Sequence, residues 1–161
     1  MSVNLNDPVR QYLSSVAEAR VEARRLRFKL KRLETQVTRI TTALTGMPAG
    51  SGDRERLLVE LADLSEQSRL ALIAAEKQEN EVSAFLDRLP DQTSRIILKL
   101  RYCDCLMWET NGRKGRSVKS EMAKVGLCYE IAQLFRLHGK ALNEARELYY
   151  KENDHDKKRN P

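Results

Sequence analysis

The sequence has few aromatic residues, prolines and glycines. Phe, Trp and Tyr make up 6% of its 161 residues, and there are four Pro and seven Gly. The shortage of Pro and Gly leaves long stretches without a helix breaker, and Ala, Leu, Glu, Lys and Arg, which favour helices, dominate what remains. With 32% charged residues spread along the chain, the composition predicts an elongated all-α protein with much solvated surface.

Long apolar runs are also missing. No stretch approaches the ~18 consecutive apolar residues of a membrane-spanning helix. Residues 1–8 are polar and lack the apolar run of a secretory signal. We therefore expect no membrane association and a cytoplasmic location.

Cysteine is scarce as well. Cys103, Cys105 and Cys128 are an odd number at irregular spacing, which argues against a disulfide framework and fits a reducing cytosol. A zinc site built from these residues and His138 has an unfavourable C-x-C spacing, so we expect free thiols, a packed histidine and no metal. The sequence also lacks a Gly-rich phosphate loop and a nucleophile elbow. These absences predict a protein that is not an enzyme and holds no cofactor.

A long heptad pattern occupies the first part of the chain. Alternating steps of three and four residues meet only apolar side chains or Ala through five heptads. This seam predicts a coiled-coil or bundle helix over residues 7–44, roughly 57 Å long. Its positions are Val9, Tyr12, Val16, Ala19, Ala23, Leu26, Leu30, Leu33, Val37, Ile40 and Leu44.

The seam stops at residues 45–52, which contain three Gly and one Pro. Gly46 suits a helix C-cap, Pro48 prevents continuation, and Asp53 suits the N-cap of the next helix. A second seam, from Leu57 to Leu89, is apolar at eight of ten positions and predicts a helix over residues 54–88. Two helices of nearly equal length and a short turn predict a long antiparallel hairpin.

Charge supports this pairing. Residues 7–44 hold nine Lys/Arg against four Asp/Glu, whereas residues 53–88 hold five against nine, and opposite charge favours helices that face each other. The basic run at residues 24–32 has a second interpretation as a nucleic-acid stripe, which the acidic neighbour disfavours. Phe28, Leu72 and Ile73 lie off the seams, so we expect a second copy to cover them in a homodimeric four-helix bundle, or the rest of the chain to do so.

The remaining residues predict a small helical head. A break at Pro90 precedes a short helix through Cys103 and a loop over residues 104–116. A second short helix, capped by Ser117 or Ser120, ends at Gly126, and a longer helix follows over residues 129–151. Short helix, glycine turn and longer helix give a helix-turn-helix-like outline. We divide the chain into a hairpin for oligomerisation (1–88), this head (89–151) and a frayed polar tail (152–161).

Two segments of the head carry a family resemblance. Arg88-Leu-Pro-Asp with residues 95–102 resembles the first helix of the fourth region of sigma-70-type factors, and residues 135–142 resemble the end of the recognition helix in ArpU-type, sigma-region-4-like regulators of phages and prophages. That family places a long hairpin with a Gly-Met-Pro-rich turn before the head, and residues 46–52 match this habit. The resemblance implies a transcriptional regulator in a bacterial host, which binds double-stranded DNA beside host RNA polymerase. Residues 109–116 depart from the family and resemble an insertion.

The resemblance also implies a DNA-binding set. Carried over position by position, it places four side chains of the longer helix against the major groove or its phosphates. Three cations of the basic loop and one at the start of the second short helix complete the set. Residues 89–161 hold fifteen Lys/Arg against ten Asp/Glu, which suits a polyanion, although Glu130 is badly placed for DNA. The set is Arg113, Lys114, Arg116, Lys119, Tyr129, Gln133, Arg136 and Lys140.

Two other functions fit the same outline. One is phage packaging, as in a small terminase-like subunit, and the other is an antagonist whose coiled coil binds a host protein while the head leaves DNA alone. An ordinary solvated face also explains the polar residues of the longer helix. Resemblance at the level of the fold does not choose among these.

Overall fold

The computed structural model describes residues 7–43, 51–110 and 115–159, without the side chains of residues 41–43, 51, 53 and 154–159. Within these ranges every regular element is helical and there is no strand, as predicted for an all-α chain, and the two long helices form the hairpin-like pair. The elements are α1 (Pro8–Ala43), α2 (Ser51–Asp87), α3 (Gln92–Leu98), a π-helical turn (Lys99–Cys103), α4 (Val118–Lys124) and α5 (Ile131–Arg159).

The chain divides into two compact units. The hairpin unit is Glu18–Gln78, and the head unit combines Met1–Ala17 with Glu79–Pro161. The start of α1 and the end of α2 therefore belong to the head unit, whereas the sequence-based division placed the boundary after residue 88. Of the predicted tail, residues 152–159 belong to α5.

The predicted seams are the buried stripes of the long helices. Every described seam position of α1 and α2 is buried or half-buried, from Val9 to Ile40 and from Leu57 to Leu89. Within the hairpin unit, Leu33 and Ala75 are the most deeply buried of these, at 8% and 4% exposure. The heptad pattern therefore identified the packing faces correctly, because positions three and four residues apart share one side of a helix.

The turn between the long helices lies mostly outside the described residues, and so do Gly46 and Pro48, whose predicted roles are in that turn. The prediction for Asp53 was wrong. Helix α2 begins at Ser51, so Asp53 lies inside the first turn and is not the residue before the helix.

The core of the head unit joins residues from both ends of the chain. Val9 and Leu89 are both buried there, as the hairpin register predicts. Leu86, which lies off the seam, is fully buried in the same core, so the head covers part of the surplus apolar surface. The largest fully buried side chains of this core are Leu13, Leu86, Leu89, Ile97, Leu98, Met122 and Leu134.

The first short helix begins at a side-chain cap and ends in a π-helical turn. Asp91 accepts a hydrogen bond from the Thr93 amide at 3.0 Å and thereby caps α3. From Lys99 the backbone widens, and the Asp104 amide donates to the Lys99 carbonyl at 2.9 Å. Ile97 and Leu98 are both fully buried. The helical period predicted an inward position for Ile97 but not for Leu98.

The second short helix has the predicted boundaries. The Ser117 side chain accepts from the Ser120 amide, and the Ser120 side chain accepts from the Ser117 amide, which forms a capping box before α4. Gly126 follows with a φ of 82°, a left-handed conformation that suits glycine. Helix α5 begins two residues later than predicted and extends to Arg159 rather than Lys151, because Gly and Pro are absent from residues 152–160.

Candidate nucleic-acid interface

Helices α3, α4 and α5 form the helix-turn-helix-like part of the head unit. Helix α3 packs against both α4 and α5, and a glycine turn separates α4 from α5. Along α5 the face that includes Leu134, Ala141 and Ala145 is fully buried. The opposite face is open to solvent, so α5 presents the surface that a recognition helix needs.

Arg136 is the most available cation of the predicted DNA-binding set. It is exposed on the open face of α5, and its guanidinium has no ion pair among the described residues. Its five N–H donors form a planar fork that matches a guanine edge or a phosphate. Arg136 therefore has the exposure and the chemistry expected of a residue that reads DNA.

Lys140 lies one turn further along the same face, but its ammonium has acidic partners. It donates to Asp91 Oδ2 at 3.0 Å and lies 3.5 Å from Glu144 Oε1. The hydrogen bond to Asp91 is the main reason that the pKa of Lys140 is raised. Lys140 thus links α5 to the capped start of α3.

Glu130 contacts both Lys119 and Gln133. Lys119 Nζ lies 3.4 Å from Glu130 Oε2 and 3.0 Å from Glu109 Oε1. Its pKa is raised, chiefly by the hydrogen bond to Glu109. The Glu130 amide donates to Gln133 Oε1 at 2.9 Å, so the predicted base-reading amide caps its own helix.

The remaining members of the set are spread over the head. Arg116 pairs with Asp104 at 3.2 Å and with Glu121 at 3.2 Å. Tyr129 is half-buried and packs against the core. Arg113 and Lys114 lie outside the described residues.

Carboxylates thus neutralise much of the positive charge on this surface. The ion pairs of Arg116, Lys119 and Lys140 are exposed, and water screens such pairs and makes them weak. Each of these cations can therefore exchange its carboxylate partner for another anion, such as a phosphate.

Sequence reasoning missed an aromatic cluster beside this surface. Trp108 packs edge-on against Phe135, with ring centroids 5.1 Å apart, and against His138 at 4.9 Å. The Arg101 guanidinium lies over the Trp108 ring, 5.5 Å from its centroid. The cluster ties the segment after the π-helical turn to α5, and its signal in the sequence was Trp108, the single tryptophan.

His138 is a packed histidine, as predicted. It shares a 3.2 Å hydrogen bond with the Tyr102 hydroxyl and stacks on that ring. Burial, with smaller contributions from the charges of Arg10 and Arg101, lowers the pKa of His138 to about 4. The imidazole is therefore neutral near pH 7.

The described residues contain no group of three or more His, Cys, Asp or Glu arranged to hold a metal ion. Cys103 is buried, Cys105 is half-buried and Cys128 is exposed, and none of the three forms a disulfide. Among the helices described, none is both long and apolar enough to cross a bilayer.

Comparisons with protein-family models, with curated proteins and with solved structures gave no match to this chain. The ArpU-type resemblance therefore stays a prediction from the sequence.

Proposed function

We propose that the protein is a DNA-binding transcriptional regulator of phage or prophage origin, which places the start of α5 in the major groove of double-stranded DNA. The observation that carries this proposal is the arrangement of α4, the Gly126 turn and α5 on α3, with exposed Arg136 on the face opposite the core. Arg116, Lys119 and Lys140 supply phosphate contacts once their carboxylate partners are displaced. The resemblance to sigma region 4 further suggests host RNA polymerase as a partner on promoter DNA.

The same proposal includes a homodimer. Val21 and Phe28 are seven residues apart on α1, on the side opposite its seam, and are 63% and 64% exposed. On α2, Leu70 and Ile73 are 52% and 47% exposed. A second copy would remove these side chains from water, and two-fold symmetric regulators bind two half-sites on DNA.

The full-length chain tests the DNA-binding proposal. Its binding to random-sequence duplexes is measured by fluorescence anisotropy at several salt concentrations, followed by selection of preferred sequences from a random pool. Each phosphate contact contributes a slope of about −0.9 in log affinity against log salt, so up to four cations predict a slope between about −1 and −4. Absence of binding at low salt, with no sequence enriched in the presence or absence of RNA polymerase, would end the proposal.

A further inference from the structure

The two helices of the hairpin unit enclose two grooves that differ in charge. In the first, called here the balanced groove, Lys29, Arg32 and Arg56 share the lining with Glu60 and Asp63. In the second, called here the arginine groove, Arg20, Arg24 and Arg27 of α1 face Arg69 of α2, and no carboxylate is among the described lining residues. The described lining of the balanced groove thus carries both signs of charge, whereas that of the arginine groove carries only positive charge.

Small and apolar side chains complete the lining of the arginine groove. Ala75 is buried, whereas Ala23, Ser68 and Leu30 are half-buried seam residues. Leu72, which lies off the seam, is 54% exposed. Small residues let another backbone approach closely, and the two leucines offer it apolar contacts.

Two arginines of this groove are available to a ligand. Arg24 and Arg27 are exposed, and neither has an ion pair among the described residues. Arg69, by contrast, donates twice to Glu66, at 2.6 and 2.8 Å. On the far side of α1, Arg25 pairs with Glu22 at 3.4 Å. The described lining of the arginine groove also sets no carboxylate beside these two guanidinium groups, unlike that of the balanced groove.

We propose that the arginine groove docks an acidic amphipathic helix of a partner protein. Arg20, Arg24 and Arg27 follow one face of α1 over about 10 Å, the length of two helical turns. The groove encloses about 670 Å³, which accommodates the side chains of such a helix. The partner's apolar stripe would rest on Leu30 and Leu72, and carboxylates spaced three or four residues apart would form bidentate pairs with the arginines.

The chemistry of the groove favours this occupant over two others. A nucleic-acid backbone would pair with the arginines but would set charged phosphates against Leu30 and Leu72. A second copy that offered its own arginine groove would bring guanidinium groups together. Of the three side chains that the sequence assigned to a homodimer, Phe28 and Ile73 lie outside the groove lining, whereas Leu72 belongs to it. The inference goes beyond the proposed regulator function, because it concerns the hairpin unit and does not depend on DNA binding by the head.

Binding of a designed probe to the full-length protein tests the proposal. The probe is a stapled, fluorescein-labelled helix about 20 residues long, with Leu along one stripe and Glu on both flanks. One control peptide carries Lys in place of Glu, and another carries Ser in place of Leu. Binding is measured by anisotropy at low and moderate salt, and we expect the Glu/Leu helix to bind at least about tenfold more tightly than either control.

Matched charge reversals on α1 locate the site. Arg24→Glu with Arg27→Glu should weaken binding of the probe by at least about tenfold. Lys29→Glu with Arg32→Glu makes the same change at the same spacing in the balanced groove, and should leave binding within about twofold. Arg24→Gln with Arg27→Gln repeats the test without reversed charge, and circular dichroism checks that each variant remains helical.

Three outcomes would overturn the proposal. The first is the absence of probe binding. The second is an equal loss of binding with both reversed pairs, which would indicate attraction to general positive charge. In the third, the acidic helix does not bind, whereas a DNA duplex binds the wild type and binds the Arg24→Glu/Arg27→Glu variant more weakly. That result would assign the groove to nucleic acid. A wild-type chain that binds the probe but not DNA would support the groove and contradict the proposed regulator, so the two failures are distinguishable.

Discussion

Arg146 donates a 2.6 Å hydrogen bond to Asp7 Oδ2 across 139 positions of the sequence. Asp7 is 7% exposed, and its other oxygen accepts from the Val9 amide at 3.2 Å, at the start of α1. Burial acts to raise the pKa of Asp7, but the hydrogen bonds from Arg146 and Val9 and the charges of Arg146 and Arg10 together lower it below 3.8. One carboxylate thus caps α1 and joins it to α5.

Asp7→Ala should lower the free energy of unfolding by about 1–3 kcal/mol, because it removes a helix cap and a charge-assisted hydrogen bond. Asp7→Asn keeps an oxygen for the Val9 amide and should lose less. A double-mutant cycle with Arg146→Ala, measured by urea unfolding, should give a coupling of about 0.5–1.5 kcal/mol, since the Arg146 side chain is 40% exposed. Additive single effects would show that the two side chains do not stabilise each other.

Stability should fall between about pH 6.5 and pH 4 because of His138. The unfolded state binds a proton at its ordinary pKa of 6.5, whereas the folded state does so at about 4, so acid favours unfolding within that window. The contribution of His138 is fully present above pH 6.5 and decreases by up to about 3 kcal/mol on descent to pH 4. Urea unfolding at a series of pH values measures it, and His138→Gln should abolish most of the slope. Asp7, whose pKa is lowered, acts in a separate window, since its contribution is lost below about pH 3.8.

Arg136 and Lys140, the two cations of α5 in the predicted DNA-binding set, should have different effects on DNA binding. Arg136→Ala should weaken binding to the preferred sequence by about 1–3 kcal/mol and relax the preference, because a base contact is lost. Lys140→Ala should weaken binding to all sequences and flatten the salt slope by roughly one unit. Lys151→Ala, an exposed change further along α5, serves as control. Equal losses at all three positions would argue against a specific role for Arg136.

Removal of an acid should strengthen DNA binding if α5 enters a groove. Glu130→Gln eliminates a carboxylate that lies 3.4 Å from Lys119 Nζ. It keeps the backbone amide of residue 130, which donates to the Gln133 side chain. Affinity for random duplexes should rise a few-fold at low salt, and the gain should shrink as salt screens the interaction. If the variant binds no better than the wild type in the same anisotropy assay, this surface does not face DNA.

The assembly proposal concerns the outer side of the long helices. Phe28→Glu or Ile73→Glu should convert a dimer to a monomer in light scattering, because each places a charge in an apolar interface. A wild-type chain that is monomeric at high micromolar concentration would refute the dimer.

The long helices and their packing faces could be predicted because heptad spacing is a local property of the sequence. The Ser117 cap and the Gly126 turn could be predicted for the same reason, since both act within a few residues. The burial of Leu98 could not be predicted, because the backbone changes to a π-helical turn at the next residue, Lys99. Local patterns carry no information about such a change or about distant partners, so the Asp7–Arg146 contact was also missed.

The candidate interface was predicted less well than the fold. Arg136 is exposed as the resemblance implies, but Lys119, Gln133 and Lys140 have partners within the protein. Asp91, the partner of Lys140, is 49 positions away. Residues 89–161 contain more basic than acidic side chains. How much of that positive charge is available to a ligand depends on ion pairs between residues that are distant in the sequence.

The discontinuous head unit imposes an order on folding during synthesis. Val9, Leu13 and Val16 emerge from the ribosome early, but Ala141 and Ala145, which share their core, are added about 130 residues later, roughly 7–26 s at about 5–20 residues per second. Residues 18–78 contain both halves of their own packing face and can pair well before then. A ribosome that stalls ahead of α5 would therefore hold a chain with a finished hairpin and an uncovered N-terminal apolar segment, which is a substrate for chaperones.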